Sequence, residues 1–223
     1  DPRWFTANRY LLPSMGAHRW RFLRAALEDL AASLAALGQT LLIRCAPPEQ
    51  DLPTLINRLG IERLVVSRQF GWDEARILRT VAGNSPGLTL ETVDSYTLFA
   101  QEQLPFIVNE IPPTYSRFRR KVEALGIDKP LAAPQWLPCP PSSLSERMPS
   151  LLISEQLPDV TETQCPFSGG EHAGQQHLDN YFNSLLPGNY KEVRNALDGW
   201  ENSTKLSPWL NTGCLSPRRV CAA

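Results

Sequence analysis

Between residues 15 and 93, segments with a helical hydrophobic period alternate with short, almost continuously apolar segments. The connections between them are only a few residues long. The predicted helices cover 15–37, a shorter stretch from 51 or 53 to 59, and 73–81, and the predicted strands cover 40–45, 63–67 and 88–93. This order is typical of a parallel sheet whose strands are joined by crossover helices, so the sequence predicts an α/β fold for its first half.

The first predicted helix carries leucines at alternating steps of four and three residues. They form one apolar stripe, made of Leu23, Leu27, Leu30, Leu34 and Leu37. A stripe of this kind predicts the buried face of a helix. Gly38 follows directly, at the position where helices commonly end in a left-handed turn.

Parallel sheets bind ligands at the carboxyl ends of their strands, which places the candidate binding edge at residues 44–47, 68–72 and 94–97. None of these ends carries a G-x-G-x-x-G or P-loop pattern, so the usual dinucleotide or nucleoside triphosphate site is disfavoured. Three side chains follow the second predicted strand: Arg68, Gln69 and Trp72. For them, an ordinary loop over a helix start is favoured over contact with a ligand.

The charge pattern argues against a protein that is coated by nucleic acid. The formal net charge is −1, which leaves room only for a local basic patch. The densest basic run consists of Arg117, Arg119, Arg120 and Lys121. These residues are predicted to spread around a helix, so that a solvated helix face is favoured over a nucleic-acid patch.

Cysteine and histidine positions argue against a disulfide framework and a metal site. Five cysteines at irregular spacing are typical of reduced thiols in a cytosolic-type compartment. His172 and His177 are five residues apart and diverge on a helix. No apolar run approaches the roughly 20 residues that span a bilayer. We therefore expect a cytoplasmic protein without a metal or a membrane partner.

Residues 126–166 are rich in proline and serine and show no sustained period of either kind. The chain has 20 prolines, about twice the average usage, which supports an extended linker here. The predicted organisation is an α/β domain at 1–125, the linker at 126–166 and a helical region at 167–223.

The segment 190–219 has the most specific pattern in the chain. Its two Ser-Pro steps, at 207 and 216, each predict a helix start, because a serine N-cap satisfies an unpaired N–H group and proline has none to lose. Ser203, Thr204 and Lys205 lie just before the first step. Hydroxyls, a cation and free N–H groups at the positive end of a helix suit a phosphate. Two capped surface helices joined by a turn explain the spacing equally well.

This segment reads NSTKLSPWL followed by TGCLSPRR, and it resembles the flavin-pyrophosphate loop of the photolyase/cryptochrome family. The preceding YKEVRNALDG is similar to the form found in the DASH branch. The antenna domain of that branch is resembled by three segments: DPRWF, RFLRAALEDLAASLAALGQTLLIR and QEQLPFIVNEIPPTYSRFRRKVE. The segment FSGGEHAGQQHLDNYF resembles the entry to the FAD-binding domain of the branch. Its helical spacing of three and four residues predicts an inward face made of Ala173, His177, Leu178 and Tyr181 or Phe182.

By this resemblance, the FAD-binding residues are Tyr190, Ser203, Thr204, Lys205, Leu206 and Ser207. The resemblance further implies that Arg194 approaches the DNA backbone. Many DASH members hold a folate antenna with a glutamate whose place is taken here by Gln69, and Glu74 lies five residues further on. The implied cofactors are therefore FAD and possibly a folate, with the glutamine replacement weighing against the folate.

The resemblance implies a parallel-sheet antenna domain lacking its first strands, followed by a linker and the start of an all-α FAD-binding domain. Both ends look cut, so we expect a piece of a DASH-type enzyme. That enzyme would use blue light to repair cyclobutane pyrimidine dimers in single-stranded DNA, and the isolated chain would be inactive. Two alternatives stay open: a blue-light receptor without repair activity, and a truncated α/β module that only binds a partner.

Overall fold

The computed structural model describes residues 1–140, 159 and 165–223, so most of the predicted linker lies outside the described residues. Before residue 141, the helices are α1 (Ala17–Ala36), α2 (Pro48–Leu59), α3 (Trp72–Gly83) and α4 (Tyr115–Val122), and the strands are β1 (Arg63–Ser67) and β2 (Thr89–Val93). After residue 164, the helices are α5 (Glu171–Phe182), α6 (Leu186–Val193), α7 (Ser207–Thr212) and α8 (Pro217–Cys221). Within these ranges, no helix has the length and apolarity that crossing a membrane requires.

β1 and β2 pair in parallel, as the sequence predicts. The register runs from Arg63 opposite Thr89 to Ser67 opposite Val93, and α3 forms the crossover between the strands. At the carboxyl ends, the Arg68 guanidinium donates to Asp94 at 2.6 Å. This hydrogen bond lowers the pKa of Asp94 and ties the two strand ends together.

The predicted strand at 40–45 is wrong. The segment makes no ladder hydrogen bonds to the described residues, where the sheet has two strands. Its central residues, Leu41, Leu42 and Ile43, are nevertheless half-buried. A continuous apolar run indicates burial, whereas a strand also needs a neighbour to pair with. The sequence of one segment does not reveal whether that neighbour lies beside it.

Glycines end the first two helices in the left-handed conformation. Gly38 has φ 74° and Gly60 has φ 67°. After α1, the Gln39 N–H donates to the Leu34 carbonyl at 2.8 Å, which closes a Schellman motif. The predicted start of α2 at 51 or 53 is late, because the helix begins at Pro48. Proline suits the first helical position, since its φ is preset and the position needs no N–H donor.

α1 is buried on two sides, because Trp20 continues the predicted leucine stripe three residues before Leu23, whereas Phe22 lies off that stripe. Its buried residues are Trp20 and Phe22, whereas the leucine stripe is half-buried and Leu30 is 46% exposed. The Trp20 ring packs edge-on against Phe5, with 4.9 Å between the ring centroids. Phe22 packs edge-on against Trp209 at 5.8 Å. The helix therefore contributes a side chain to the core of the region after residue 164.

The core of that region surrounds Trp209, which is 2% exposed. Its other buried members are Phe22, Leu178, Leu206 and Leu215. Among the residues that the sequence places inward on α5, Leu178 and Tyr181 are buried and His177 is half-buried, but Phe182 is exposed. One cluster thus joins α1, α5 and α7 and the turn before α8.

Two glycines allow α1 to approach the start of α5 closely. A Cβ on Gly169 would lie 1.9 Å from the Phe22 carbonyl oxygen. A Cβ on Gly170 would lie 2.8 Å from the Cβ of Asp29. Gly170 also has φ 109°, which other residues rarely adopt. Both positions therefore require glycine for this contact.

The carboxylate of Asp29 on α1 completes the same contact by capping α5. It accepts hydrogen bonds from the Glu171 N–H at 2.7 Å and the His172 N–H at 3.3 Å, and it lies 2.6 Å from His172 Nδ1. Burial by itself would raise the pKa of Asp29, but the hydrogen bonds from His172 and Glu171 outweigh burial and lower it. The charged carboxylate thus satisfies N–H groups that α5 cannot pair internally.

We expect Asp29→Ala to lower the free energy of unfolding at pH 7 by about 1 kcal/mol, the usual cost of a lost cap. A lowered pKa means that the carboxylate stabilises the fold above the unfolded-state value of about 4, and that this stabilisation disappears as the pH falls through the folded-state value. Urea titrations from pH 7 to pH 3 should therefore show the difference between the variant and the wild type shrinking below about pH 4. Glu28→Ala, at the exposed neighbour, is the control. An equal loss from both variants, or a gap that is as large at pH 3 as at pH 7, would contradict the cap.

Candidate functional site

Residues 203–206 form a short turn between the 3₁₀ helix at Trp200–Asn202 and α7. The turn is fixed from below by Leu206, which is 3% exposed and packs in the core cluster. Just before it, Lys205 has φ 54°, a left-handed conformation that costs a lysine about 1–2 kcal/mol. Such strain persists only where the surroundings impose it, and here the buried leucine does so.

His177 on α5 fixes the turn from the side. Its Nε2 lies 2.8 Å from the Thr204 carbonyl oxygen, and because a carbonyl only accepts, Nε2 carries the proton and donates. The imidazole stacks on Trp209, with ring centroids 4.8 Å apart and 23° between the planes. The histidine ring is therefore held in place by one aromatic contact and one hydrogen bond.

An aromatic cluster supports the histidine and the turn. Phe167 packs against both Trp200, at 5.1 Å between centroids, and Trp209, at 5.6 Å. The Trp209 Nε1–H donates to the Ser168 carbonyl at 3.0 Å, so the buried indole is satisfied. On the other side, a Cβ on Gly174 would lie 2.8 Å from Trp209 Cδ1. The base of the turn is consequently packed with little freedom to move.

The polar side chains of the turn have no partners in the part of the chain that the structure describes. Among the described residues, the Ser203 and Thr204 hydroxyls make no hydrogen bond and the Lys205 ammonium makes neither a hydrogen bond nor an ion pair. All three residues are half-buried. Half-buried polar groups without partners favour an external ligand, and one cation beside two hydroxyls favours an anion.

The two predicted helix starts have different outcomes. Ser216 is the N-cap of α8, and its hydroxyl accepts from the Arg218 N–H at 3.2 Å, as predicted. Ser207 is not an N-cap: α7 begins at Ser207 itself, the N-cap is Leu206, and no side chain caps the helix. α7 has only six residues, so its dipole is small and Lys205 must supply most of the attraction for an anion.

Tyr190 and Arg194 lie one turn apart on α6. The Arg194 N–H donates to the Tyr190 carbonyl at 3.0 Å, and Arg194 ends the helix. Both residues are exposed. α6 contacts the 3₁₀ helix Trp200–Asn202, which leads into the turn. The fold therefore places this helix beside the segment that leads into the turn, and the assigned roles of Tyr190 and Arg194 stay predictions.

Gln69 lies apart from the turn, at the carboxyl end of β1. It lines a cavity of about 680 Å³ together with Arg3, Trp4, Glu74 and Arg76. Its Nε2 donates to the Ser67 carbonyl at 3.1 Å. Glu74, five residues later in sequence, reaches the same cavity because α3 folds back over the end of the strand.

Two features of the structure were not predicted from the sequence. The helical spacing placed His177 on an inward face but indicated no role for it, because its partner Thr204 is 27 residues away along the chain. The basic run was predicted to spread around its helix, although Arg117, Arg120 and Lys121 share one face by their spacing of three and four residues. The five cysteines are free thiols, and the described residues contain no cluster of three potential metal ligands.

Comparison with known proteins places these features in a family. Residues 1–135 match the DNA photolyase family. The chain is 36% identical over 216 residues to cryptochrome DASH of Idiomarina loihiensis, which covers 97% of this chain and 47% of that protein. It is 34% identical over 230 residues to cryptochrome DASH of Xenopus laevis, covering 99% and 44% of the two chains.

Solved structures show the same fold. The cryptochrome of Synechocystis superposes with a TM-score of 0.83 at 29% identity, covering 100% of this chain and 47% of that one. An archaeal photolyase from Sulfolobus tokodaii gives 0.63 at 17% identity, covering 100% and 46%. The chain spans about half the length of the curated relatives it matches. It belongs to the photolyase/cryptochrome family, and the curated relatives described above are DASH cryptochromes.

Proposed function

We propose that residues 203–207 hold the diphosphate of FAD, in a DASH-type flavoprotein that uses blue light to repair cyclobutane pyrimidine dimers in single-stranded DNA. The observation that carries this proposal is the turn itself. Its backbone is fixed by Leu206 and His177, whereas the polar side chains of Ser203, Thr204 and Lys205 have no partner among the described residues. A rigid turn with free polar groups is preorganised for a ligand.

The residues present fit a diphosphate in charge and in hydrogen bonding. The Lys205 ammonium can pair with phosphate oxygens, and a charge-assisted hydrogen bond is about twice as strong as a neutral one. The two hydroxyls can donate to the same group. Because the turn is half-buried, these contacts are screened less than on an open surface.

FAD, when bound, supplies the light-driven electron transfer that splits the dimer. This chain would hold the cofactor at its phosphates through the turn and Tyr190. We propose that the exposed Arg194 contacts the phosphate backbone of the DNA, because a cation at the end of an exposed helix is accessible to it. The chain spans about half the length of the relatives it matches, and we propose that it performs no repair on its own.

Gln69 weighs against a folate, but Glu74 lines the same cavity. We propose that this carboxylate takes the place of the missing glutamate, so that the cavity holds an antenna chromophore of the folate class. Gln69 has an amide and Glu74 a carboxylate, and Arg3 and Arg76 line the same cavity. A pterin has ring N–H groups that such acceptors bind. Incubation of the chain with methylenetetrahydrofolate should produce a bound pterin absorption band that Glu74→Gln weakens. Absence of the band in the wild-type chain would refute the assignment.

Lys205→Ala should weaken FAD binding through the phosphates alone. We expect the affinity for FAD to fall about tenfold to a hundredfold, because one charge-assisted contact is lost, while the affinity for riboflavin stays unchanged because riboflavin has no phosphate. Fluorescence titrations with both ligands measure this difference. The same preparations, reduced and illuminated with a dimer-containing oligothymidylate, should release no repaired product.

The matched control for this experiment is Lys191→Ala, which removes an exposed lysine from α6 and should leave both affinities unchanged. Equal losses for FAD and riboflavin in Lys205→Ala would show that the variant damages the fold and not a phosphate contact. Unchanged FAD affinity would refute the role of Lys205.

His177→Ala should weaken FAD about threefold to tenfold, the value of one hydrogen bond, because the Thr204 carbonyl loses its donor and the turn loosens. His177→Gln can place an amide donor near the same carbonyl and should restore part of the affinity. The emission of Trp209 should change in both variants because the stacked imidazole is gone. Full FAD affinity in His177→Ala would show that the turn holds its shape without the histidine.

A further inference from the structure

A second concentration of positive charge lies on the α/β part of the chain. α4 and the residues before it form an open surface groove of about 590 Å³. One side is apolar and consists of Ile111, Pro112 and Pro113. The other side is formed by Arg117, Arg120 and Lys121 on α4. Glu110 is the one acidic residue among those that line the groove.

Helical geometry explains why these three cations face the same way. Positions three and four residues apart lie on one face, with Cβ atoms about 5–6 Å apart. Arg119 falls on another face, where it pairs with Glu123 at 2.5 Å. In contrast, Arg117, Arg120 and Lys121 form no salt bridge within the described residues. Among the described residues, one basic side chain of α4, Arg119, is thus in a salt bridge and the other three form none.

Local electrostatics accounts for only part of this arrangement. Cations in the last turn of a helix are stabilised by its dipole, which explains Arg120 and Lys121. Lys121 also lies over the Phe106 ring, at 5.4 Å from the centroid. Arg117, however, is the third residue of α4, in the first turn, where a positive charge is disfavoured. Its position is therefore better explained by a ligand than by helix stability.

We propose that this groove binds the backbone of single-stranded DNA, at a site separate from the flavin turn. Single-stranded DNA combines phosphates, which suit the three cations, with exposed base faces, which suit the apolar wall of isoleucine and two prolines. In a duplex the bases are stacked inside, so the apolar side of the groove would have no exposed base face to contact. The ligand class rests on the proposed function, but the groove itself does not involve FAD.

The test compares the triple variant Arg117→Gln/Arg120→Gln/Lys121→Gln with the wild-type chain and with Arg119→Gln. Arg119→Gln removes the same type of charge from the same helix, outside the groove. Binding of a fluorescein-labelled 16-nucleotide oligothymidylate without dimers is followed by anisotropy between 50 and 200 mM NaCl. Three lost phosphate contacts should reduce the slope of log K against log salt by about 2 and weaken binding about tenfold or more. Arg119→Gln should change the slope little.

Two further variants distinguish the loss of positive charge from misfolding. Arg117→Lys/Arg120→Lys keeps the charge and should keep the salt slope. Arg117→Gln alone removes a cation that the helix does not need and should reduce the slope by about 0.7. Circular dichroism checks that each variant is folded.

Several results would overturn the proposal. These are a wild-type chain that does not bind the oligonucleotide at 50 mM NaCl, an unchanged slope in the triple variant, and an equal effect of Arg119→Gln. Stronger binding of a polyglutamate peptide than of the oligonucleotide, dependent on the same three residues, would assign the groove to an acidic protein instead. FAD and riboflavin titrations on the same preparations report separately on the flavin turn, so failure of one site does not imply failure of the other.

Discussion

The close contact between α1 and the start of α5 is the constraint on which the candidate flavin site depends. Gly169 and Gly170 leave no room for a side chain between the two helices, and Asp29 of α1 caps α5 across this contact. As a result, Phe22 enters the core of the helical region and packs on Trp209. A helix that begins the α/β part of the chain therefore builds part of the platform beneath the turn at 203–206.

The platform determines which parts of the turn remain available. Leu206 packs in the core, and the Thr204 carbonyl accepts a hydrogen bond from His177. The backbone of the turn therefore has little conformational freedom. Lys205 is held in a left-handed conformation as a result. The strain of about 1–2 kcal/mol is offset by the packing that imposes it, since burying one leucine contributes about 1.5–3 kcal/mol. Apolar burial thus fixes the backbone of the turn, while its hydroxyls and ammonium have no partners among the described residues.

Predictions from the sequence were confirmed where the residues of one segment determine its local structure. β1, β2, α3, the left-handed Gly38 and the Ser216 cap all follow from neighbouring residues. Predictions were wrong where a residue far away in the sequence determines the local structure. The apolar run at 40–45 has no pairing strand among the described residues, and α1 buries Phe22 because α7 lies against it. His177 acquires its role only when the fold brings Thr204 beside α5. The residues of the turn were found through family resemblance, since spacing alone fitted two capped helices equally well.

If both proposals hold, the turn and the basic groove would bind phosphate in two different ways. In the turn, one cation on a fixed backbone meets a ligand with little loss of conformational entropy, and fixed geometry can select one particular diphosphate. In the groove, three long and exposed side chains must be ordered by the ligand, which costs entropy for each of them. Their attraction is mostly long-range and screened by salt. Such a surface tolerates many sequences and exchanges ligand quickly, which suits a polymer that must be scanned, whereas a cofactor must be retained. The difference in rigidity between the two regions is therefore what we would expect if one holds a flavin and the other a moving strand.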